Sequence, residues 1–513
     1  MFDDVKVWLV GAGPGDPTLI TVKGLRCLQN ADVVLYDALA HPALLEECRA
    51  DAKLVSVGKR YGVHTVEQSE IIRLLIEHAR LGLNVVRLKG GDPYLFARGA
   101  EEAEALADAG VRFGVVPGIA SPLGTSTYAG FSLTHRDLSS SVTFVTGTDR
   151  HGEHHRPEDW HRLATASDTL CILMGMRRIE AIAQSLIDGG RAGDTPTAVI
   201  EWGARPEQRV LVATLGTVAA RVREVGLSNP AVIVVGEVVR LREKLRWFDS
   251  RPLFGKRLLL PRAAAQAAST AQLIRERGAE PIAIPLIAID PAPDTARVSE
   301  AVRSLASYDW VVFTSANGAE RLIAALQAEQ LDARAFGQAK IAVIGPRTAE
   351  PLRRFGLRPD LVAERYVAEG LVHDLLQQRN LGRVLVFRAE QARELLPEQL
   401  RASGAHVDVV AAYRTRRLSS AQAESLAEAL ARRAFDAILL TSSSMAAALV
   451  EALGSTAQQD LRNVVVASIG PVTTATLAEL GVQADVTSDV HTIDALLGAL
   501  EAYFGARGLA SSC

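Results

Sequence analysis

The sequence predicts an α/β protein of three or four domains with largely parallel sheets, and three observations carry that prediction. Short apolar runs ("VVLYD", "VVRLKG", "FGVVPG", "VTFVTG", "TLCILMG", "AVIVVGEVV") alternate with Ala/Leu/Glu/Arg-rich helical stretches up to about residue 245, the signature of strands covered by helices. A charged, aromatic stretch, "LREKLRWFDSRPLFGKRLLL", then interrupts the alternation before a new apolar strand at Leu258. Beyond it the chain repeats itself at a spacing of roughly 125 residues, which makes the second half two similar α/β lobes.

The first strand, "KVWLV", leads into "GAGPGDP". Gly11 and Gly13 imitate a dinucleotide fingerprint, and Asp37, closing "ADVVLYD", stands where a ribose-binding acid would. The imitation fails at Asp16, which with Pro17 reads as a helix N-cap followed by proline at the first helical position. The Gly13-Pro14-Gly15 turn therefore precedes the helix and is not shaped for a pyrophosphate. The next informative stretch is "VVRLKGGDPYLFARGAEE", where a strand is expected to end at Leu88, Gly90 and Gly91 let backbone approach a ligand, and Asp92-Pro93 can cap the segment after them. Asp37, at a strand's C-terminal end, can either cap a turn or act as a proton acceptor.

In the second half "FTSANGAERLIAAL" from Phe313 is echoed by "LTSSSMAAALVEAL" from Leu440, and "IAVIGPRTAEPLRRFGL" from Ile341 by "VVASIGPVTTATLAELGV" from Val465. "RLLLPRAAAQ" and "RVLVFRAEQ" form a third pair. Two extended segments, "AEPIAIPLIAID" and "AHVDVVAAYRTRR", are expected as a pair of hinge strands with a cleft between the lobes. The expected organisation is residues 1–248, a short linker at 249–255, and residues 256–513, with one lobe of about 256–288 plus 416–505 and the other of about 291–410.

Of the 513 residues 48% are hydrophobic and 22% charged, with a formal net charge of −3. That balance argues against a nucleic-acid partner held by a basic face, because such binding needs phosphates neutralised by Lys and Arg. The four cysteines (Cys27, Cys48, Cys171, Cys513) show no C-x-x-C spacing, and no secretory leader or apolar run of membrane-spanning length is found. A cytoplasmic location is expected. The "DRHGEHHRPEDWH" stretch, with His151, His154, His155 and His161, lacks fixed ligand spacing, so no metal is expected.

The motifs "GPGDP", "GKRYGVHTVEQSEI", "LKGGDPYLFARGAEE", "VPGIAS", "YAGFSLTHRD", "LMGM", "PTAVIEWGARPEQRV" and "NPAVIVVGEVVRLREKLRWF" stand in this order. The set resembles the uroporphyrinogen-III C-methyltransferases of the tetrapyrrole methylase family over residues 5–248. That resemblance implies two α/β domains (about 1–118 and 119–248) holding S-adenosylmethionine in the cleft between them, with S-adenosylhomocysteine as product. Carried over by motif, the cofactor contacts are Pro14, Gly90, Gly91, Asp92, Leu95, Ala120, Ser121, Met174 and Gly203. Asp37 and Lys59 match the positions the family assigns to proton acceptor and donor. Uroporphyrinogen carries eight carboxylates, which calls for guanidinium groups able to bind them bidentately. Arg98 and Arg136 are the candidates, with Glu101 grouped beside them at the substrate. Ala97, where the family often has Gly, and Ala38, where it sometimes has Arg, are departures bearing on substrate contacts.

"TSANG", "IGPRTA", "LVFRAE", "VVAAYRT", "LTSSS" and "SIGPVTT" resemble uroporphyrinogen-III synthase over roughly 256–505. The resemblance implies closure of hydroxymethylbilane to a macrocycle with inversion of the last ring and no cofactor. Ser/Thr turns that open helices present free N–H groups able to bind carboxylates without net positive charge. Thr314, Ser315, Asn317, Ser442, Ser443 and Thr473 fit that role. Tyr413, emerging from the second hinge strand, is the expected proton donor to the leaving hydroxyl, and Arg262 and Arg388 are expected to grip acetate or propionate arms.

Together these imply a bifunctional enzyme in which the product of the second half, uroporphyrinogen III, is methylated twice by the first to precorrin-2, serving sirohaem or cobalamin synthesis. Homodimerisation through the first half is implied by the methyltransferase resemblance, and no partner beyond small tetrapyrroles is expected. No dehydrogenase or chelatase module is expected in the chain, so later steps fall to other proteins. Two alternatives stay open: a methyltransferase acting on a different precorrin, and a second half that only binds an anion and regulates the first.

Overall fold

A computed structural model describes residues 5–58, 66–147, 157–262, 264–378 and 380–510. Lys59, His151, His154 and His155 lie outside the described residues. The chain divides into two compact units, one of residues up to 256 with 272–280 and from 501 on, the other of residues 257–271 and 281–500.

The first unit holds two five-stranded sheets. Strands β1 (Val7–Gly11), β2 (Val33–Tyr36), β3 (Lys53–Ser56), β4 (Val85–Lys89) and β5 (Phe113–Val116) form the first, in the order β3-β2-β4-β1-β5 with every pair parallel. β1 and β4 lie on inner positions and are almost entirely buried, as strands covered on both faces must be. The second sheet contains β6 (Val142–Thr146), β7 (Thr169–Leu173), β8 (Pro196–Glu201), β9 (Arg209–Thr214) and β10 (Ala231–Val235), in the order β6-β7-β10-β8-β9. Only β6·β7 is parallel there; β7·β10, β10·β8 and β8·β9 are antiparallel, against the expectation of parallel pairing. The reason lies in the connections. Residues 202–208 between β8 and β9 are too few for a crossover helix, so the two strands must return on each other.

Asp16 caps as expected, but a shorter element. Its Oδ1 accepts from the Thr18 N–H (2.8 Å) at the 3-10 turn Pro17–Leu19, and the α-helix Val22–Gln29 starts later, capped by Thr21. Residues 249–255 pack on the first unit. Phe248 is buried edge-on against Tyr128 (4.7 Å) and Phe254 (5.3 Å), and Asp249 accepts from Arg246 Nε at 2.8 Å.

The second unit also has two sheets. β11 (Arg257–Leu260), β12 (Glu280–Ala283), β19 (Ala437–Leu440), β20 (Val465–Ser468) and β21 (Val486–Thr487) run in the order β12-β11-β19-β20-β21. β13 (Ile287–Pro291), β14 (Trp310–Phe313), β15 (Lys340–Val343), β16 (Leu361–Val362), β17 (Arg383–Ala389) and β18 (His406–Arg417) run in the order β13-β18-β17-β14-β15-β16. The two extended segments meet each other. β13 pairs antiparallel with the end of β18, from Ile287 opposite Arg417 to Pro291 opposite Tyr413, while the start of β18 pairs parallel with β17. A single 12-residue strand thus serves both the sheet and the connection.

In the first sheet the loops that follow β1, β4 and β5 touch with no side chain between them. Gly13 and Gly91 exchange backbone hydrogen bonds (Gly13 N to Gly91 O, 3.2 Å; Gly91 N to Gly13 O, 2.8 Å). A Cβ on Gly118 would lie 2.2 Å from Gly91 O and 2.8 Å from Gly11 Cα. Because the obstruction is backbone on both sides, Gly118→Ala is expected to destabilise the first unit by about 1–3 kcal/mol, the ordinary cost of overpacking. Chemical denaturation followed by tryptophan fluorescence checks this, and a midpoint equal to wild type would show that the loops can separate.

Candidate functional site

At the C-terminal ends of the first sheet's strands lies a cavity of about 460 Å³, within the range of small-molecule sites. Gly13, Pro14, Gly90, Gly91, Ser121, Met174 and Gly203 line it, together with Leu39, Thr125, Ile200, Trp202, Val232 and the guanidinium-bearing Arg177 and Arg205. Ser121 and Thr125 come from the helix Ser121–Tyr128, entered directly from the Gly118 loop. Five of the eight non-glycine residues with positive φ among those described, Phe96, Arg98, Met174, Trp202 and Ala204, fall in the loops that carry wall residues or adjoin them. Such conformations cost energy and persist where surrounding structure holds them. Arg205 is fixed over the Trp202 ring (5.0 Å) and donates to Leu39 O at 2.7 Å.

Behind the loops runs a buried set of charges that sequence reasoning missed. Arg87 Nη2 donates to Asp37 Oδ1 at 2.5 Å, Arg87 Nε to Glu102 Oε1 at 3.1 Å, and Lys89 Nζ to the same Oε1 at 2.9 Å. Gln68 Nε2 adds a fourth contact, again to Glu102 Oε1, at 3.1 Å. Side-chain exposure is 3% for Arg87, 2% for Lys89 and 0% for Glu102, against 28% for Asp37. Asp37 is thus the accessible end of an otherwise sealed group. Arg87 and Lys89 share a face of β4 because side chains alternate along a strand, and the helix Gly99–Asp108 brings Glu102 over that face. Burial, then Arg87, pushes the Lys89 ammonium below its ordinary pKa, with Glu102 opposing the shift. The signal was present in the sequence: two cations two apart inside an apolar strand demand a buried anion.

The expected residues distribute unevenly. Pro14, Gly90, Gly91, Ser121, Met174 and Gly203 meet on the cavity wall; Asp92, Leu95 and Ala120 do not line it. Asp92 ties two loops instead, accepting from Tyr94 N (2.8 Å) and Gly118 N (3.0 Å). Ala120 is buried at the N-cap of the helix Ser121–Tyr128. Arg98, at φ +60°, is held by Glu101 in an exposed two-pronged pair (2.9 and 2.7 Å), and Arg136 is exposed in the loop after Thr134.

In the second unit the candidates gather at the C-terminal ends of parallel strands, where open α/β sheets place ligands. Ser315 caps the helix Ala316–Ala328 and Ser442 caps Ser443–Leu453. Thr314 and Asn317 flank the first cap, and Thr473 is buried in the first turn of Pro471–Glu479. Tyr413 is buried on β18, its hydroxyl 3.0 Å from Ser315 Oγ, which also accepts from Gly318 N at 3.1 Å. Arg262 follows β11 and donates to Thr441 Oγ1 at 2.7 Å; burial, then the charge of Arg347, lowers its pKa. Arg388 is buried on β17 and engaged by Glu394 and by Arg393 O, which occupies the guanidinium expected to grip substrate.

Two family models match the chain: "Tetrapyrrole (Corrin/Porphyrin) Methylases" over residues 6–219 and "Uroporphyrinogen-III synthase HemD" over residues 268–498. The porphyrin biosynthesis protein HemD of Ruminiclostridium josui is 37% identical over 413 residues, 80% of this chain and 81% of that protein. The uroporphyrinogen-III C-methyltransferase of Bacillus subtilis is 36% identical over 375 residues, 71% of this chain and 77% of that protein. The siroheme synthase of Azotobacter vinelandii is 51% identical over 246 residues, 48% of this chain; the chain spans about half, 53%, of that relative's length. Among the described residues no helix is long and apolar enough to cross a membrane.

His41, two residues beyond Leu39 of the cavity wall, makes the turn pH-sensitive. Its buried ring accepts from Ala43 N–H through Nδ1 (3.2 Å), which requires the neutral form. Burial, then the Arg205 guanidinium, pushes its pKa down to about 4 from an ordinary 6.5. With the folded value below the unfolded one, the unfolded chain takes up the proton first as pH falls. The contribution is complete above 6.5 and is lost as pH drops from 6.5 toward 4. Across that window wild type is expected to lose up to about 3 kcal/mol more than His41→Asn, which keeps an acceptor and cannot titrate. Parallel stability-versus-pH curves for the two proteins would rule the effect out.

Proposed function

Since the chain belongs to the family that joins a uroporphyrinogen-III C-methyltransferase to a uroporphyrinogen-III synthase, and is an enzyme of tetrapyrrole biosynthesis, we propose that its first unit methylates uroporphyrinogen III twice, through precorrin-1 to precorrin-2. The second unit, in the same reading, makes that substrate from hydroxymethylbilane. The observation that carries the first assignment is the Asp37 carboxylate, anchored by Arg87 at the end of β2, two residues before Leu39 of the cavity wall.

The cavity's residues fit S-adenosylmethionine. Gly90 and Gly203 let the wall segments close on one another: a Cβ on Gly90 would lie 3.0 Å from Leu39 Cβ, and one on Gly203 would strike Thr125 at 2.3 Å. The polar side chains of the wall are Arg177, Arg205, Asn229, Ser121 and Thr125 among otherwise largely apolar residues, which suits a ligand with a neutral heterocycle and one carboxylate. When bound, the donor supplies a methyl carbon made electrophilic by its sulfonium. The pyrrole carbon is already electron-rich and carries an acid arm in place of hydrogen, so the chain's work is to hold it in line and then remove a proton from the ring nitrogen or the adjoining methylene bridge, which discharges the positive charge left by methyl transfer. Asp37 accepts that proton. Arg87 fixes which oxygen faces outward; its Nη1 donates to Leu88 O, and Glu102 takes up its Nε donor and the Lys89 charge so that neither competes for the Asp37 face. Arg98 and Arg136, both exposed, meet substrate carboxylates. The expected homodimer belongs to this reading and rests on the family resemblance alone.

For the second unit, Tyr413 donates its phenolic proton to the departing hydroxyl of hydroxymethylbilane. Ser315 supports the assignment: its Oγ accepts from Gly318 N–H and can give its own proton to the Tyr413 oxygen, which frees the phenolic hydrogen for substrate. Helix-opening turns at Thr314–Asn317 and Ser442–Ser443, with Thr473 and Arg262, meet the carboxylate arms.

Release of S-adenosylhomocysteine is expected to require uroporphyrinogen III, and Asp37→Asn is expected to slow it by about 10²–10⁴-fold while leaving the Kd for S-adenosylhomocysteine unchanged. Release that ignores uroporphyrinogen III would end the methyltransferase reading. Tyr413→Phe is expected to slow formation of the type III isomer from hydroxymethylbilane. An unchanged rate, measured by isomer typing after oxidation to porphyrin, would remove Tyr413 from the reaction; no isomer formation by wild type would leave the second unit a binding module.

A further inference from the structure

Thr125 stands on the cavity wall beside Ser121, Pro14, Ile200 and Gly203. It is 3% exposed, and its methyl group is the atom that a Cβ on Gly203 would strike. Its hydroxyl has no hydrogen-bond partner. That contrasts with its neighbours on the same helix. Ser126 and Thr127 both return their hydroxyls to Leu123 O, at 3.1 and 2.9 Å, the usual way a helical Ser or Thr satisfies itself. Thr125 alone of the three leaves a buried polar oxygen without a partner, and it is a residue that lines the cavity. A valine would fill the same volume without that desolvation penalty. An unpaired hydroxyl in such a place is explained if a ligand atom completes it.

We propose that Thr125 Oγ1 is a hydrogen-bonding contact for the neutral nucleoside half of bound S-adenosylmethionine. The inference rests on the reading of this cavity as the methyl-donor site. The choice of the nucleoside half comes from the wall. A Cβ on Gly203 would meet both Thr125 and Ile200, and one on the adjacent Gly124 would meet Pro14, so the groups packed about Thr125 are uncharged, whereas the donor's charged amino-acid end calls for the two guanidinium groups of the cavity, Arg177 and Arg205. A hydroxyl can both give and accept a hydrogen bond, so it suits the amine, ring nitrogens and ribose hydroxyls of a nucleoside, and it carries no charge to set against the sulfonium.

The test uses the full chain and calorimetry with two ligands: S-adenosylhomocysteine, and 5′-methylthioadenosine, which has the nucleoside half and lacks the amino-acid end. Thr125→Val is expected to raise the Kd for both by the same factor, about tenfold. Thr125→Ser, which keeps the oxygen, is expected to stay within about threefold of wild type for both. The ligand-free melting midpoint of Thr125→Val is expected at or above that of wild type, since a buried unpaired oxygen has been removed; a residue needed only for structure would move it down. If Thr125→Val does not fold, Thr125→Ala carries the same comparison. Unchanged Kd values in a folded variant overturn the proposal and leave the donor site standing. Loss confined to S-adenosylhomocysteine also overturns it, because the contact then lies at the amino-acid end. Failure of wild type to bind either ligand removes the donor-site reading and this inference with it.

Discussion

The first unit's cavity depends on three backbone segments meeting with nothing between them. β4, β1 and β5 are adjacent parallel strands, so the loops leaving their C-terminal ends emerge only a strand spacing apart and must cross. Glycines at 11, 91 and 118 let them do so: a Cβ on Gly11 would lie 2.5 Å from Gly118 Cα. The same approach solves a second problem. Backbone N–H and C=O groups taken out of water need partners, and Gly13 and Gly91 supply each other's, while the Asp92 carboxylate takes the Gly118 N–H. With the loops fixed in this way, Pro14, Gly90 and Ser121 arrive together although about 100 residues of chain separate the first from the last.

The second constraint is electrical. Two cations and two carboxylates stand together behind the loops, and only Asp37 has appreciable access to solvent. Removing charges from water is costly, and a buried pair broken by loss of one member costs more than the intact set, which favours keeping all members. Glu102 is the hub, with three donors on Oε1 and none on Oε2. It draws Arg87 and Lys89 inward, and Arg87 in turn holds Asp37 by one oxygen. An accessible carboxylate so held keeps a single direction for its free oxygen, and positioning of that kind accounts for much of what an acid–base residue contributes.

Local signals were legible in the sequence and long-range ones were not. The alternation of apolar runs with helical stretches, the capping by Asp16, and the two hydroxyl-rich turns that recur at Ser315 and Ser442 are written within a few residues, and each has a local cause that acts wherever the chain folds. The antiparallel run β7-β10-β8-β9 was misread because apolar strands look the same in either direction; only the seven residues at 202–208 betrayed the return. The Arg87–Glu102 pair joins residues 15 apart through the packing of a helix on a strand, and Gln68 reaches the same carboxylate from 34 residues away. Thr125 was invisible for a different reason. A threonine in a helix is unremarkable until its hydroxyl is seen to lack the bond that Ser126 and Thr127 make.

A near-neutral chain that handles polyanions has to offer cations without leaving them buried and unpaired, and the arginines show how. Arg388 is buried with its charge engaged by Glu394, whereas Arg205 is held in place on the cavity wall by the Leu39 carbonyl and the Trp202 ring. Arg98 is different: its partner Glu101 is an exposed neighbour three residues on, a pairing of a kind that contributes roughly 0–1 kcal/mol in water. In the proposed reading a substrate carboxylate would therefore displace Glu101 from Arg98 at little cost and gain the same two-pronged geometry. In the second unit the helix-opening hydroxyls and N–H groups at Thr314–Asn317 and Ser442–Ser443 offer dipoles that need no counter-ion when empty, and Arg262, whose guanidinium donates to the neutral Thr441, adds a full charge beside them.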